Sequence, residues 1–247
     1  MSTEHSDNKP SPSGPRTRRL TVAIDGPAGA GKSTVAQKVA KRLGYVYIDT
    51  GAMYRGITWK ALHEEVDFAA IEAIAEVARN TTIALIPPAD LTGKQHVQVD
   101  GHDVTAEIRL PEVSQRVSAV ARIPEVREVL TAQQQAMGFY GGVVMDGRDI
   151  GTAVFPRAEV KIFLTASTRE RTRRRWQELM AQGIQTDIAQ LEQEILARDV
   201  ADSEREVAPL KPADDAVIIH TDDYTADGVV ELILEIFNAR RELALQR

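Results

Sequence analysis

The 247-residue sequence contains no cysteine, which excludes disulfides, thiolate catalysis and cysteine-ligated zinc or iron–sulfur sites. Aromatic residues make up only 5% of the chain, which disfavours a base-stacking platform as the main binding device. No apolar run approaches the roughly 18 residues that a membrane-spanning helix needs, and the first residues lack the apolar core of a signal peptide. These absences predict a cytoplasmic protein that does not bind membranes.

The charge balance is mildly acidic, with 30 Lys and Arg against 36 Asp and Glu and a formal net charge of −6. A protein that binds duplex DNA is usually more basic, so nucleic acid is not the expected partner. Overall charge does not exclude a nucleotide substrate, because a few local cations can hold one phosphate group.

Residues 1–19 are polar, contain three prolines and show no periodicity, which predicts a disordered tail followed by one domain over residues 20–247. Five short apolar runs predict strands buried on both faces: Leu20–Ile24, Tyr45–Ile48, Val143–Met145, Val160–Leu164 and Ala216–Ile219. Helical spacing is found in the segments between them: Val35–Leu43, Ala52–His63, Ala69–Arg79, Pro124–Met137, Arg169–Gln182, Ile188–Arg198 and Asp227–Leu245. Strands alternating with helices predict an α/β fold with a five-stranded parallel sheet flanked by helices.

The segment from Thr82 to Val104 departs from this alternation. Short runs of strand-forming residues surround Asp100-Gly101, a dipeptide typical of hairpin turns, and Val97 and Val99 alternate with polar residues. We therefore expect a small antiparallel insert in the α/β domain.

A phosphate-binding loop gives the strongest functional signal. The segment Gly26–Ser33 reads GPAGAGKS, lies between a predicted strand and a predicted amphipathic helix, and matches the P-loop pattern. Its backbone N–H groups would surround phosphate oxygens, Lys32 would reach the β- and γ-phosphates, and the Ser33 hydroxyl would ligate Mg²⁺. The alternative is a glycine-rich turn without a ligand. The candidate ATP-binding residues are Gly26, Pro27, Ala28, Gly29, Ala30, Gly31, Lys32, Ser33 and Thr34.

Two further loops place arginine beside carboxylates at the carboxyl edge of the predicted sheet, where α/β folds bind ligands. The second strand ends in Asp49-Thr50-Gly51, with Arg55 one turn into the next helix. The third strand ends in Asp146-Gly147-Arg148-Asp149. In a functional role, these arginines would hold a second phosphate group. In a purely structural role, one loop would cap a helix and the other would form a salt bridge.

Arginines also cluster in the predicted helix over 169–182, where Arg171, Arg174 and Arg175 share one face. Because such cations repel one another unless an anion is bound, they are candidates for a lid that supplies charge to a transition state. A solvated helix face and a nucleic-acid contact are the alternatives. The triplet Arg198, Asp202 and Arg205 would also share one face if helical, either as a ribose and phosphate site or as plain helix-stabilising pairs.

Four segments taken together resemble the bacterial cytidylate kinases, in the order and spacing of that family: Ile24–Thr34, Asp49–Arg55, Asp146–Thr152 and Arg205–Leu210. The resemblance covers about Leu20 to Leu243. It implies the nucleoside monophosphate kinase fold, with a monophosphate-binding region containing the insert at about 52–137 and a lid at about 169–205. It also implies transfer of the γ-phosphate of ATP to CMP or dCMP with Mg²⁺, and it favours a monomer.

The resemblance assigns roles to individual residues. It implies that Ser118, Arg127 and Asp149 face the cytosine. It implies that Arg198 and Asp202 hold the pentose. It implies that Arg55, Arg148 and Arg205 surround the acceptor phosphate, and Thr50 completes the candidate CMP contacts. Direct attack on the γ-phosphate would need charge stabilisation from Lys32, Arg148, Arg171, Arg174 and Arg175.

Three alternatives remain from the sequence. Another small kinase of the UMP/CMP, adenylate or shikimate type would share the P-loop. A nucleotide-binding switch would share it too, although the Asn-Lys-x-Asp element of GTPases is missing from the predicted domain. A nucleic-acid-binding protein could use Arg169–Arg175, against the acidic balance and the few aromatics.

Overall fold

The computed structural model describes residues 19–88, 95–181 and 183–246. Its strands, in chain order, are β1 (Thr21–Asp25), β2 (Val46–Asp49), β3 (Ile83–Ile86), β4 (His96–Val99), β5 (His102–Asp103), β6 (Val143–Gly147), β7 (Val160–Thr165) and β8 (Val217–His220). Its α-helices are α1 (Lys32–Leu43), α2 (Thr50–His63), α3 (Ile71–Asn80), α4 (Pro111–Val120), α5 (Pro124–Gly138), α6 (Thr168–Ala181), α7 (Ile188–Ser203) and α8 (Ala226–Leu245). A 3₁₀ turn at Glu107–Arg109 and a π-helical turn at Ile150–Val154 complete the elements.

The main sheet has the strand order β2-β6-β1-β7-β8, and all four pairings are parallel. β1 is central and all five of its side chains are buried, as expected for a strand covered on both faces. The carboxyl ends of β1, β2 and β6 bring Asp25, Asp49 and Asp146 to one edge of the sheet. This edge is where doubly wound sheets bind ligands.

The two largest apolar clusters lie on different parts of the fold. One joins β1, β7 and β8 to α1 and α8, with Phe237 packed edge-to-face on Tyr45 at a centroid distance of 5.7 Å. The other joins α2, α3 and α5 to the antiparallel sheet β3-β4-β5 and includes the fully buried Met53 and Leu130. The predicted parallel α/β sheet and its antiparallel insert are both confirmed.

The structure differs from the sequence-based expectations in three places. The edge strands β2 and β8 are not buried on both faces, since each has one neighbouring strand, and Val46 and Ile218 are about half exposed. Residues 111–120 form α4, for which no element was predicted. α7 continues to Ser203, beyond the predicted end at Arg198. Because Arg205 lies outside this helix, Arg198, Asp202 and Arg205 do not share one helical face. The predicted tail at 1–19, apart from Arg19, and the predicted helix end at Gln182 lie outside the described residues.

No helix within the three described ranges is long and apolar enough to cross a membrane.

Candidate active site

The loop between β1 and α1 has a backbone that only glycine accommodates at key points. Gly26 has φ 148°, and a Cβ atom there would lie 1.9 Å from the Leu164 carbonyl oxygen on β7. Gly31 caps α1 in the left-handed region with φ 88°. The loop therefore follows the tight path between strand and helix that exposes backbone N–H groups to an anion.

Lys32 begins α1 and is buried, with its Nζ donating to the Pro27 carbonyl oxygen over 2.8 Å. Burial, reinforced by the nearby Arg148, holds the pKa of Lys32 well below its ordinary value. An anion in the loop would offset both effects, so the ammonium is placed to gain from a bound phosphate.

Ser33 and Asp146 bring two oxygen ligands together beside the loop. The Ser33 hydroxyl donates to Asp146 Oδ2 over 2.8 Å, and the Tyr47 hydroxyl donates to Asp146 Oδ1 over 2.9 Å. Burial, with the nearby Asp49, raises the pKa of Asp146 to about 6. A hydroxyl and a carboxylate next to a phosphate-binding loop are the donor set that holds Mg²⁺ in P-loop enzymes, so these residues fit that ion.

An arginine cluster lies beyond this pair. The Nε atoms of Arg55 and Arg198 are buried and have no hydrogen-bond partner in the part of the chain that the structure describes. Burial, with Arg148 and Arg55 nearby, lowers the pKa of Arg198 to about 9. A buried Nε–H without an acceptor is costly, as is repulsion between neighbouring guanidinium groups, and a dianion between them would remove both costs. The cluster is therefore a candidate site for an acceptor phosphate.

Asp202 on α7 connects this cluster to the loop after β6. Arg148 Nε donates to Asp202 Oδ2 over 2.8 Å. Burial alone would raise the pKa of Asp202, but Arg148 and Arg198 outweigh it and lower the pKa. Of the two interpretations left open, the helix-stabilising pair of Arg198 with Asp202 is not formed, and Asp202 makes instead an ion pair that joins α7 to the loop after β6.

A second buried ion pair lies next to the first. Arg127 Nη2 donates to Asp149 Oδ2, and Arg205 Nη2 reaches Asp149 Oδ1 over 3.2 Å. All three residues are at most 7% exposed. The Arg127 guanidinium lies 5.6 Å from the centroid of the Tyr54 ring. Arg and Asp side chains fixed in this way can pair with the polar edge of a base.

The remaining monophosphate candidates have less direct positions. Thr50 is buried and its hydroxyl donates to the Asp146 carbonyl oxygen over 2.7 Å, so it supports the loop after β6. Ser118 is half-buried on α4, which packs against α2 and α7. Within the described residues, no hydrogen bond joins Ser118 to the Arg127–Asp149 pair.

The arginines of α6 have different partners and different degrees of burial. Arg171 is 5% exposed; it donates to the carbonyls of Ala28 and Ala166 and forms an ion pair with Asp199 at 2.7 Å. Arg174 donates to the Thr221 hydroxyl and carbonyl. Four of these arginines have a carboxylate partner. Asp199 pairs with Arg171, Glu170 pairs with both Arg173 and Arg174, and Glu178 pairs with Arg175. The strong repulsion expected from this cluster is thus largely absent.

Asp146, Tyr54 and Asp199 were missed as functional candidates by sequence reasoning. Asp146 had a readable signal, since it ends a strand next to the P-loop strand, where P-loop proteins place a metal-binding Asp. Tyr54 and Asp199 had none, because their contacts with Arg127 and Arg171 join helices that are distant in the chain.

Comparison with known proteins identifies the family of the chain. The family model described as cytidylate kinase matches residues 22–239. A cytidylate kinase of Geobacillus kaustophilus is 54% identical over 90% of this chain and 98% of its own length. One of Desulforamulus reducens is 54% identical over 88% of this chain and 96% of its own. A bifunctional pantoate ligase/cytidylate kinase of Prochlorococcus marinus is 50% identical over 91% of this chain and 44% of its own. The chain therefore belongs to the cytidylate kinase family.

Proposed function

We propose that this protein is an ATP-dependent phosphotransferase that converts CMP or dCMP to CDP or dCDP. The observation that carries the proposal is the pair of buried, unpaired guanidinium Nε atoms of Arg55 and Arg198 at the sheet edge that also holds the P-loop. A loop for a donor triphosphate next to a site for a second phosphate is the arrangement that phosphoryl transfer requires.

The donor side consists of the loop from Gly26 to Thr34. Its amides and Lys32 hold the β- and γ-phosphates of ATP, and the Lys32 ammonium leaves the Pro27 carbonyl to do so. Ser33 and Asp146 hold Mg²⁺, which supplies positive charge to the transferring phosphate when it is bound. Arg174, fixed on Thr221 beside Ala30, lies on the donor side as well.

The acceptor side uses the two buried ion pairs. Arg55, Arg148 and Arg205 surround the phosphate of CMP, and Arg198 contacts both that phosphate and the pentose. Asp202 holds the pentose, and Arg127 and Asp149 read the cytosine, with Ser118 and Thr50 at the edge of the site. Since Arg127 and Asp149 already pair with each other, both are oriented before the base arrives. A base that lacks the matching polar groups would shield Arg127 and Asp149 from water without hydrogen-bonding to them, so it would bind less well.

The reaction needs no covalent enzyme intermediate. An ionised oxygen of the CMP phosphate forms a bond to the γ-phosphorus, the bond from that phosphorus to the β,γ-bridging oxygen breaks, and ADP leaves with that electron pair. Lys32, Arg148 and the lid arginines Arg171, Arg174 and Arg175 stabilise the charge that develops. We propose the helices over 169–205 as the lid, and a monomer as the active form.

The test is a coupled assay of ADP formation from ATP and Mg²⁺, comparing CMP, dCMP, UMP and AMP with a reaction that lacks an acceptor. We expect turnover with CMP and dCMP at least about 100-fold above AMP, as for sites that pair with a substrate's polar edge. Preference for AMP or UMP would overturn the cytosine assignment, and ADP release without any acceptor would indicate a hydrolase or a switch. Omitting Mg²⁺ should abolish turnover.

A further inference from the structure

Asp25 is a buried carboxylate that the proposed mechanism does not use. It is the last residue of β1, directly before the first glycine of the phosphate-binding loop, and only 5% of its surface is exposed. Both of its oxygens are occupied by backbone donors 125 and 126 residues away. Oδ1 accepts from the Ile150 N–H over 2.8 Å, and Oδ2 accepts from the Gly151 N–H over 2.7 Å.

The segment that Asp25 holds carries the acceptor site. Arg148 and Asp149 directly precede Ile150, and they form the ion pairs with Asp202, Arg127 and Arg205. The Asp25 carboxylate thus ties the start of the ATP loop to the segment that carries the CMP contacts. Lys32 on the donor side and Asp149 on the acceptor side both act electrostatically on Asp25.

The close approach of Gly151 strengthens this relationship. A Cβ atom at position 151 would lie 3.3 Å from Asp25 Oδ2 and 3.3 Å from the Lys161 side chain. Glycine at this position lets the backbone N–H reach the carboxylate at a normal hydrogen-bond distance. Burial raises the pKa of Asp25 to about 6 although both N–H groups oppose that shift, so the charged form is held at a cost in stability.

We propose that Asp25 is a positioning residue that sets the distance between the ATP loop and the CMP-reading segment 148–151. This inference rests on the proposed function, because it assigns CMP to that segment. Loss of the carboxylate would free two backbone N–H groups and let Arg148 and Asp149 move relative to Lys32. CMP binding and in-line transfer would suffer, while the ATP loop, held by its own glycines and by Arg171, would retain its affinity.

The test compares Asp25→Asn with the wild type in the full chain. An amide oxygen keeps one acceptor, whereas the NH₂ group meets a backbone N–H and cannot accept from it. We expect the KM for CMP to rise at least about tenfold and kcat to fall, with the Kd of ATP measured without CMP changing less than about twofold. The matched control is Asp67→Asn, which makes the same change at an exposed carboxylate accepting from the Ala69 N–H over 2.9 Å; its kinetics should equal those of the wild type.

A spectroscopic readout separates positioning from general damage. The amide proton signals of Ile150 and Gly151 should shift in Asp25→Asn, while those of the P-loop glycines keep their wild-type response to ATP. If Asp25→Asn does not fold, Gly151→Ala supplies the same test by pushing on Asp25 Oδ2. Gly228→Ala is its control, because the nearest atom to that Cβ, Thr225 Oγ1, lies at an ordinary 3.4 Å.

Equal weakening of ATP and CMP binding, or unchanged kinetics in a folded variant, would overturn the positioning role. Failure of the proposed function is a different result, since it appears in the wild type itself as transfer to another acceptor or to none. If the wild type transfers phosphate to an acceptor other than CMP, the variant and the wild type are compared with that acceptor.

Discussion

Ser33 Oγ and Asp146 Oδ2 are 2.8 Å apart, and their hydrogen bond connects the first turn of α1 to the carboxyl end of β6. The contact joins residues 113 positions apart in the chain. In the proposed function, this hydroxyl and this carboxylate would be oxygen ligands of the divalent cation that accompanies ATP. The Tyr47 hydroxyl holds the other carboxylate oxygen over 2.9 Å, so Asp146 is fixed in orientation.

Asp146→Asn should lower kcat at least about 100-fold at saturating CMP, because the amide is a poor ligand for a hard cation and carries no charge. The Mg²⁺ concentration at half-maximal rate should rise as well. Tyr47→Phe, which removes only the orienting hydroxyl, should raise that concentration with a smaller loss of kcat. A variant with wild-type Mg²⁺ dependence would exclude Asp146 from metal binding.

The same variant should alter how stability depends on pH. Burial raises the pKa of Asp146 to about 6, so between about pH 4 and 6 the folded state binds more protons than the unfolded state. The stability contributed by this carboxyl therefore falls as pH rises through that window, by up to about 3 kcal/mol. Asp146→Asn lacks this loss, so its unfolding free energy relative to the wild type should increase from pH 4.5 to 6.5 and level off above pH 7.

Urea unfolding at several pH values between 4.5 and 7.5 measures this difference. Asp215→Asn is the control, because Lys161 lowers the pKa of that carboxyl and its contribution is lost only at more acidic pH. Parallel curves for Asp146→Asn and the wild type would contradict the raised pKa.

Arg127→Met should be costly in two ways. It leaves Asp149 buried with Arg205 as its remaining partner and removes the guanidinium above Tyr54. We expect a stability loss of about 3 kcal/mol, as for other broken buried ion pairs. The kcat/KM for CMP should fall at least about 100-fold, with a much smaller change for ATP. The control is Arg122→Met, which replaces an exposed arginine two residues before the start of α5 and should change neither quantity.

The arginines of α6 should separate into different roles. Arg171→Met removes an ion pair with Asp199 and two bonds to carbonyls, so stability should fall by about 3 kcal/mol. Arg175 acts electrostatically on Arg55 and Arg198, and among the described residues its hydrogen-bond partner is Glu178. Arg175→Met should keep stability within about 0.5 kcal/mol while kcat falls about tenfold or more. Arg173→Met, at an exposed arginine paired with Glu170, should change neither; an equal kcat loss in all three variants would contradict this division.

The sequence alone predicted the elements whose signals are local. The P-loop, the five parallel strands and the Asp100-Gly101 turn each have a signature within a few residues, and the fold contains all of them. The expected burial on both faces holds for β1 and β6 but not for the edge strands β2 and β8. α4 was missed because valines at 113, 117 and 120 have low helix propensity, and packing on α2 stabilises this short helix. The pairing of Arg148 with Asp202 and of Arg205 with Asp149 could not be predicted, since chain spacing does not show which arginine reaches which carboxylate.

Arg198→Gln tests whether the arginine cluster is an anion-binding site. Burial and the neighbouring Arg148 and Arg55 lower the pKa of Arg198, so removing its charge relieves repulsion. The variant should be at least as stable as the wild type without ligands, yet its affinity for CMP should fall about 10- to 100-fold. Inorganic phosphate should raise the wild-type Tm by linkage and raise that of the variant much less. Arg240→Gln, at an exposed arginine on α8, should respond to phosphate as the wild type does. A variant that is destabilised and still gains fully from phosphate would show that Arg198 is a structural residue and not part of the anion site.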